Sequence, residues 1–229
     1  MKIHALVCTY NSVENIEACL RSLVGLVDDV TIFDGRWLGV EGDSVHSTDG
    51  TVEKILAVAK ELKPFPIYLM ATFEPMNQVD ARNELIKMVP QDEWFIVVDS
   101  DEVILRWDNV RETLETTDKI GFRIRLCGSN KEFKGIPIPN PRFMKKMKNV
   151  QYTRNHRYMK NDDGEIKAGD ELPVLEITVS HEGENKAMRP VIERYKNWLL
   201  MWEQKEDGYL KDYQDWLRED QKLKKEDKS

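Results

Sequence analysis

The sequence predicts an α/β protein built on a mostly parallel central sheet, flanked by helices and followed by a helical C-terminal extension. Three observations predict it. Apolar strand-type runs alternate four times with helical patterns over the first hundred residues, across mostly short connections, the order that gives a parallel sheet covered by helices. The runs lack polar alternation, as strands buried on both faces do. Three of them end in polar groups, Tyr10-Asn11, Asp34-Gly35 and Asp99-Ser100-Asp101, and such sheets bind ligands at the carboxyl ends of their strands.

The elements follow in order. Ala5 to Tyr10 is the first strand, and Asn11-Ser12 ends it with residues suited to cap a helix. Ile16, Leu20, Leu23, Val24 and Val27 then recur at helical spacing. Asp29 to Phe33 is the second strand, closed by Asp34-Gly35 and a loop rich in Gly, Asp and Ser. Thr51 opens a second helix with Val52, Ile55, Leu56, Ala59 and Leu62 on one face. Pro66 to Met70 is the third strand, Asn77 to Val89 the third helix and Trp94 to Val98 the fourth strand.

Beyond Glu102 the pattern changes. Ile120 to Leu126 alternates strictly, so one face is solvated or lines a cleft. Pro137, Pro139 and Pro141 mark an irregular loop. Arg142-Phe143-Met144 and Val174 to Val179 are further strands. Val191 to Trp202 is helical, with Pro190 suited to its first turn. The domain expectation is a ligand-binding α/β domain over 1–183 and a helical extension over 184–229. In the extension Tyr209, Tyr213, Trp216 and Leu217 share a helical face. That face docks on the core or on a second copy, or lies on a membrane surface as a peripheral contact.

Composition narrows the class. The chain has 229 residues, 41% of them hydrophobic, enough for a full core. Its formal charge of -7 argues against a duplex nucleic-acid binder, which needs a basic stripe. Cys8, Cys19 and Cys127 form no CxxC pair, so neither a disulfide framework nor a structural zinc site is expected. The apolar run at the start is too short for a signal peptide. No stretch reaches the roughly 18 apolar residues of a membrane span. The expectation is a soluble, cytoplasmic protein.

The chemistry-bearing residues gather at the strand ends. Asp99 and Asp101 share a face if the chain stays extended, and two carboxylates there repel unless a cation sits between them. Oxygen-rich sites of this kind suit Mg2+ or Mn2+. Taken alone, the same acids also make an ordinary solvated strand end. Ser47-Thr48-Asp49-Gly50-Thr51 precedes a helix and reads as a cap and turn. Arg82, in Ala81-Arg82-Asn83, has the planar guanidinium that matches phosphate oxygens, or is a solvated helical arginine. His181 closes a strand just before Gly183 and reads as a metal ligand, or as an ordinary surface or core histidine. Glu102 is expected to turn toward solvent or to cap the loop.

In this order the motifs resemble a GT-A glycosyltransferase of the family-two type. They are Val7-Cys8-Thr9-Tyr10-Asn11, Cys19-Leu20-Arg21-Ser22-Leu23, Asp34-Gly35, Ser47 to Thr51, Ala81-Arg82-Asn83, Asp99-Ser100-Asp101 and the late His181, all within residues 1 to about 183. The resemblance implies the GT-A (nucleotide-diphospho-sugar transferase) fold. It also implies transfer of a sugar, expected to be a hexose, from a UDP- or GDP-sugar to a glycan, lipid or protein hydroxyl, with inversion. It places Thr9, Tyr10, Asn11 and Asp34 around the base and ribose, and Arg82, Asp99 and Ser100 on the donor. Asp101 and His181 would hold Mn2+ or Mg2+. For the base that an inverting reaction needs, Asp162, Asp163, Asp170, Glu171 and Glu182 are available, and Asp170 or Glu171, in a glycine-bearing loop, is favoured. Two departures stand out. Residues 36–46 intervene between Asp34-Gly35 and the Ser-x-Asp-Gly-Thr stretch, as a lid or a reshaped base pocket. His156-Arg157 stands where His-Glu is usual. A nucleotidyltransferase is disfavoured, because Tyr10-Asn11-Ser12 is no glycine-rich basic loop. A nucleotide-binding or assembly module that has lost its base is the other reading.

Overall fold

A computed structural model gives the fold, and it describes residues 1–127, 136–138, 141–153, 158–162, 164–167 and 172–181. By packing, the chain divides into two units, Met1–Glu184 and Asn185–Ser229. The predicted helix from Val191 and the aromatic face of Tyr209, Tyr213, Trp216 and Leu217 lie outside the described residues.

The first half alternates as the sequence predicts: β1 Ile3–Thr9, α1 Ile16–Leu23, β2 Asp29–Asp34, α2 Thr51–Glu61, β3 Ile67–Ala71, α3 Gln78–Met88 and β4 Trp94–Asp99. These strands stand side by side in the order β3-β2-β1-β4, all parallel. Every residue of β1 is buried, as a strand covered on both faces requires. Its Ile3, Val7 and the neighbouring Ile32, Ile96 and Val98 are fully buried and join one apolar cluster with Ile16, Leu20 and Leu23 of α1. Each such side chain contributes about 1.5–3 kcal/mol by leaving water.

The second half supplies β5 Glu102–Trp107, α4 Val110–Thr116, β6 Gly121–Cys127, β7 Ile136–Pro137, β8 Phe143–Lys145, β9 Gln151–Thr153, β10 Tyr158–Asn161, β11 Gly164–Lys167 and β12 Val174–His181. The large sheet continues β4-β8-β6-β12-β5, with β7 beside β6. Here antiparallel pairs (β4 with β8, β8 with β6, β12 with β5) mix with the parallel pair β6–β12. Strands β9, β10 and β11 form a small antiparallel sheet. Only Ser100 and Asp101 separate β4 from β5, yet β5 pairs with β12 rather than with β4. The sheet therefore curls back, and its β5 edge returns to the carboxyl end of β4.

Two helix boundaries differ from the sequence reading. Helix α1 stops at Leu23, because Val24 is extended and Gly25 takes φ 78°, a left-handed conformation that glycine adopts without cost. Asn11-Ser12 does not cap α1. The N-cap position is Asn15, and Asn11 turns the chain in the left-handed region at φ 50°. Helix α3 starts as predicted, with Asn77 Oδ1 accepting the Asp80 N–H at 2.8 Å.

At the amino ends of the strands, His4 bridges two carboxylates. Its Nδ1 lies 2.9 Å from Asp29 Oδ1 and its Nε2 2.5 Å from Glu93 Oε2. Beside it Asp28 Oδ2 accepts the Ile3 N–H and an Arg111 N–H. Cys8, Cys19 and Cys127 are all buried. Among the described residues, no helix is long and apolar enough to cross a membrane.

Candidate active site

Strand register brings the predicted polar ends into one row. Thr9 pairs with Asp34, and Cys8 pairs with Asp99. Parallel strands that stop level with one another leave their last side chains at a common edge, which is where such sheets bind ligands.

On the β1–β2 side, the site is a hydrogen-bonded frame. Asp34 is 1% exposed, and both its oxygens are taken by Ser47, by the hydroxyl at 2.5 Å and the N–H at 3.1 Å. Ser47 Oγ also accepts the Asn11 N–H at 2.8 Å, and Asn11 Oδ1 accepts the Thr48 N–H at 2.9 Å. Asp49 accepts from the Val13 N–H, the Thr51 N–H and the Thr51 hydroxyl. Burial raises the pKa of Asp49, and these bonds outweigh it and lower it overall. The stretch Ser47 to Thr51 thus staples the helix start to the turn after β1. Thr9 is buried, and its Oγ1 has no hydrogen-bond partner among the described residues. His46 Nδ1 stands 3.7 Å from Asp34 Oδ2.

The 36–46 insertion packs against the segment after β3. Arg36 and Leu38 bond to Met76 through their backbones, and Trp37 stacks on Phe33 at 6.5 Å. The Tyr10 hydroxyl reaches Ser44 O at 3.4 Å. The insertion therefore borders the turn that carries Tyr10, the place where a reshaped base pocket is expected.

On the β4 side, charge dominates. Arg82 of α3 is 3% exposed, and its Nη2 donates to Asp99 Oδ1 at 2.5 Å. Its guanidinium also lies 5.9 Å from the centre of the Tyr152 ring, within cation–π range. Arg142 Nη2 donates to the other oxygen, Asp99 Oδ2, at 3.1 Å and to Glu102 Oε1 at 2.9 Å. Glu102 is fully buried, and its Oε2 accepts the Asp99 N–H at 2.8 Å. Of the two expectations for Glu102, solvent or a cap on the loop, the structure gives the cap. Burial acts to lower the pKa of both guanidiniums, and the facing carboxylate charges outweigh it and keep them raised. Burial pushes the Tyr152 hydroxyl up to about 12, so it stays neutral and donates to Pro141 O at 2.6 Å.

Ser100 is buried, with its hydroxyl 2.9 Å from Ser12 Oγ, so the acidic turn is tied to the turn after β1. Asp101 is half-buried. The β12–β5 ladder pairs His181 with Glu102, which puts its backbone one residue from Asp101 across the strands. Asp170, Glu171 and His156 lie outside the described residues. Among the described residues, no three His, Cys, Asp or Glu side chains gather as a complete metal cage.

The structure thus brings together Thr9, Tyr10, Asn11, Asp34, Arg82, Asp99, Ser100 and Asp101, with the His181 backbone beside them. Sequence reasoning missed Arg142, which reads there only as the start of a strand. It also missed Ser12 as the partner of Ser100. Neither has a local signal, because each acts on a residue more than eighty or forty positions away.

The family model "Glycosyl transferase family 2" matches residues 5–161. No curated protein matches the chain. Among solved structures, S. aureus TarS is similar at 22% identity over 61% of this chain and 24% of that one, with a TM-score of 0.45. The mannosyltransferase PcManGT from Pyrobaculum calidifontis, in complex with GDP-Man and Mn2+, is similar at 19% identity over 56% of this chain and 35% of that one, TM-score 0.42. Glucosyl-3-phosphoglycerate synthase from Mycobacterium tuberculosis, in complex with Mn2+, UDP and phosphoglyceric acid, gives 18%, 56%, 44% and 0.38 in the same order. The matched part spans between a quarter and a half of the length of these structures.

Proposed function

The chain belongs to glycosyl transferase family 2, and we propose on that premise that it moves a sugar from a UDP- or GDP-sugar to an acceptor hydroxyl with inversion. One observation carries the reading. The Asp99-Ser100-Asp101 turn lies level with the ends of β1 and β2 and is held there by a buried arginine from the helix before it.

In this reading Thr9, Tyr10, Asn11 and Asp34 form the base and ribose side, with Asp34 acting from behind Ser47. Asp99, Ser100 and Arg82 form the donor-sugar side. Asp101 and His181 would hold Mn2+ or Mg2+. The donor set would fit a divalent ion, since a carboxylate and an imidazole are both ligand types that such ions accept, and Mg2+ in particular is bound through few protein ligands. Such an ion supplies charge stabilisation to the departing diphosphate. The remaining steps belong to the chain. Asp170 or Glu171 takes the proton from the acceptor hydroxyl, the oxygen attacks the anomeric carbon from the face opposite the diphosphate, and the bond to the diphosphate oxygen breaks with its electron pair. Arg82 holds Asp99 in place while this happens.

Isothermal titration with UDP, GDP and other nucleotides, with and without Mn2+, tests the reading. The expected result is binding that requires the metal and prefers one base. Equal binding with and without metal, or none, removes the proposal. A panel of nucleotide-sugars screened for hydrolysis then identifies the donor.

A further inference from the structure

Behind the acidic turn lies a residue with more attachments than a simple ion pair needs. Arg142 precedes β8, and its side chain is 8% exposed. Its Nη1 donates to Val97 O at 3.2 Å and approaches Glu102 Oε2 at 3.4 Å. Its Nη2 donates to Glu102 Oε1 at 2.9 Å and to Asp99 Oδ2 at 3.1 Å. Glu102 in turn accepts the Asp99 N–H. One guanidinium therefore touches the β4 backbone, the Asp99 carboxylate and the carboxylate that caps the Asp99 amide. These contacts bracket both ends of the Ser100-Asp101 turn.

We infer that Arg142 is a positioning residue: with Glu102 it locks the Asp99–Glu102 turn so that Asp99 and Asp101 are aimed before any donor arrives. The part of this that concerns the donor rests on the transferase reading. The geometry separates the role from plain charge neutralisation. Arg82 already places one cation on Asp99 Oδ1, and Arg142, from the segment before β8, supplies the second, on Oδ2. A planar fork can meet a carbonyl and two carboxylates at once. An ammonium, as a single point of charge, cannot span them. A guanidinium that only balanced Glu102 has no need to reach Asp99.

The discriminating variants are Arg142→Met, Arg142→Lys and the double variant Glu102→Leu/Arg142→Met. The double variant removes both charges of the pair and replaces them with apolar groups, a change that buried pairs often tolerate or gain from. Two readouts are used. Amide hydrogen exchange across residues 98–103 needs no ligand. Titration with UDP and GDP in Mn2+ reports the donor site.

Arg142→Met is expected to speed exchange in that segment and to weaken metal-dependent nucleotide binding by about 10–100-fold, the usual effect of losing an outer-shell partner. Arg142→Lys should fall between it and the parent. The double variant should melt near the parent and still bind as weakly as Arg142→Met. Recovery of nucleotide affinity in the double variant overturns the inference, since Arg142 would then serve only to balance Glu102. Unchanged exchange in Arg142→Met overturns it as well, whatever the chain binds. A parent chain that binds no nucleotide refutes the transferase reading instead, and the exchange result alone then decides the role of Arg142.

Discussion

Asp99 and Asp101 sit two residues apart and live in different surroundings. Asp99 is fixed between two buried guanidiniums. Asp101 is half-buried at the strand ends. Removing them should therefore do different things. Asp101→Ala should abolish turnover and metal-dependent nucleotide binding, with stability within about 1 kcal/mol of the parent, the range of a change outside the core. Asp99→Ala strands Arg82 and takes from Arg142 one of its two carboxylates, and should cost about 3 kcal/mol of stability besides activity. Chemical denaturation of both variants checks the contrast; an equal loss of stability in the two would contradict it. His4 carries a separate prediction. Burial works against its charge, and hydrogen bonds and charges from Asp29 and Glu93 outweigh burial and raise its pKa above 6.5. Asp28, itself paired with Arg111, adds to the negative surroundings. The protonated ring thus contributes stability that is fully present below 6.5, its unfolded value, and fades as pH rises through the higher folded value. Melting temperature measured against pH should fall over that interval in the parent and run flatter in His4→Gln.

Elements were legible where their signal is local. The apolar runs of β1, β2 and β4 and the Asn77 cap of α3 are visible in the sequence because short-range sterics and one side-chain bond produce them. Asn77→Ala should cost about 1 kcal/mol, a fall in melting temperature of roughly 2–4 °C for a domain of this size. Strand β5 and helix α4 were not legible. β5 opens on Glu102, a buried acid that reads as part of a turn until Arg142 is known to face it. β9 and β10 have three and four residues, too few to show a period. The insertion was legible as an insertion and not as a structure, because its own turns are joined by backbone bonds to Met76 and by the Trp37–Phe33 stack, which no local pattern signals. Gly35, at its root, is packed so closely that an added Cβ would meet Phe33 Cε1 and Thr72 Cγ2 at 2.6 Å. Gly35→Ala should accordingly destabilise by about 1–3 kcal/mol, the cost of overpacking, as read by urea denaturation.

At the scale of the whole molecule, the site is made by the curl of the sheet. The first four strands deliver Thr9, Asp34 and Asp99 in register, and that half of the site follows from the order of the sequence. The other half does not. Arg142 reaches Asp99 across 43 residues, and His181 comes beside Glu102 only because β12 pairs with a β5 edge that has returned to β4. No periodicity encodes such a return, since it depends on the pairing of strands far apart in the chain. A donor that bridges the two halves should bind the folded chain and not the unfolded one, because the unfolded chain holds no such edge. Mass action then fixes the size of the effect. At a nucleotide concentration one hundred times its Kd, stabilisation is about 2.7 kcal/mol, or roughly 5–11 °C in melting temperature for a chain of this length. The proposed roles of Asp101 and His181 require that shift to appear with UDP or GDP plus Mn2+, and to vanish with the nucleotide alone or in Asp101→Ala. A scan of melting temperature against nucleotide, with Mn2+ present or chelated, measures it. A shift of equal size without the metal would place the nucleotide on the β1–β2 frame alone and leave Asp101 and His181 with no part in binding.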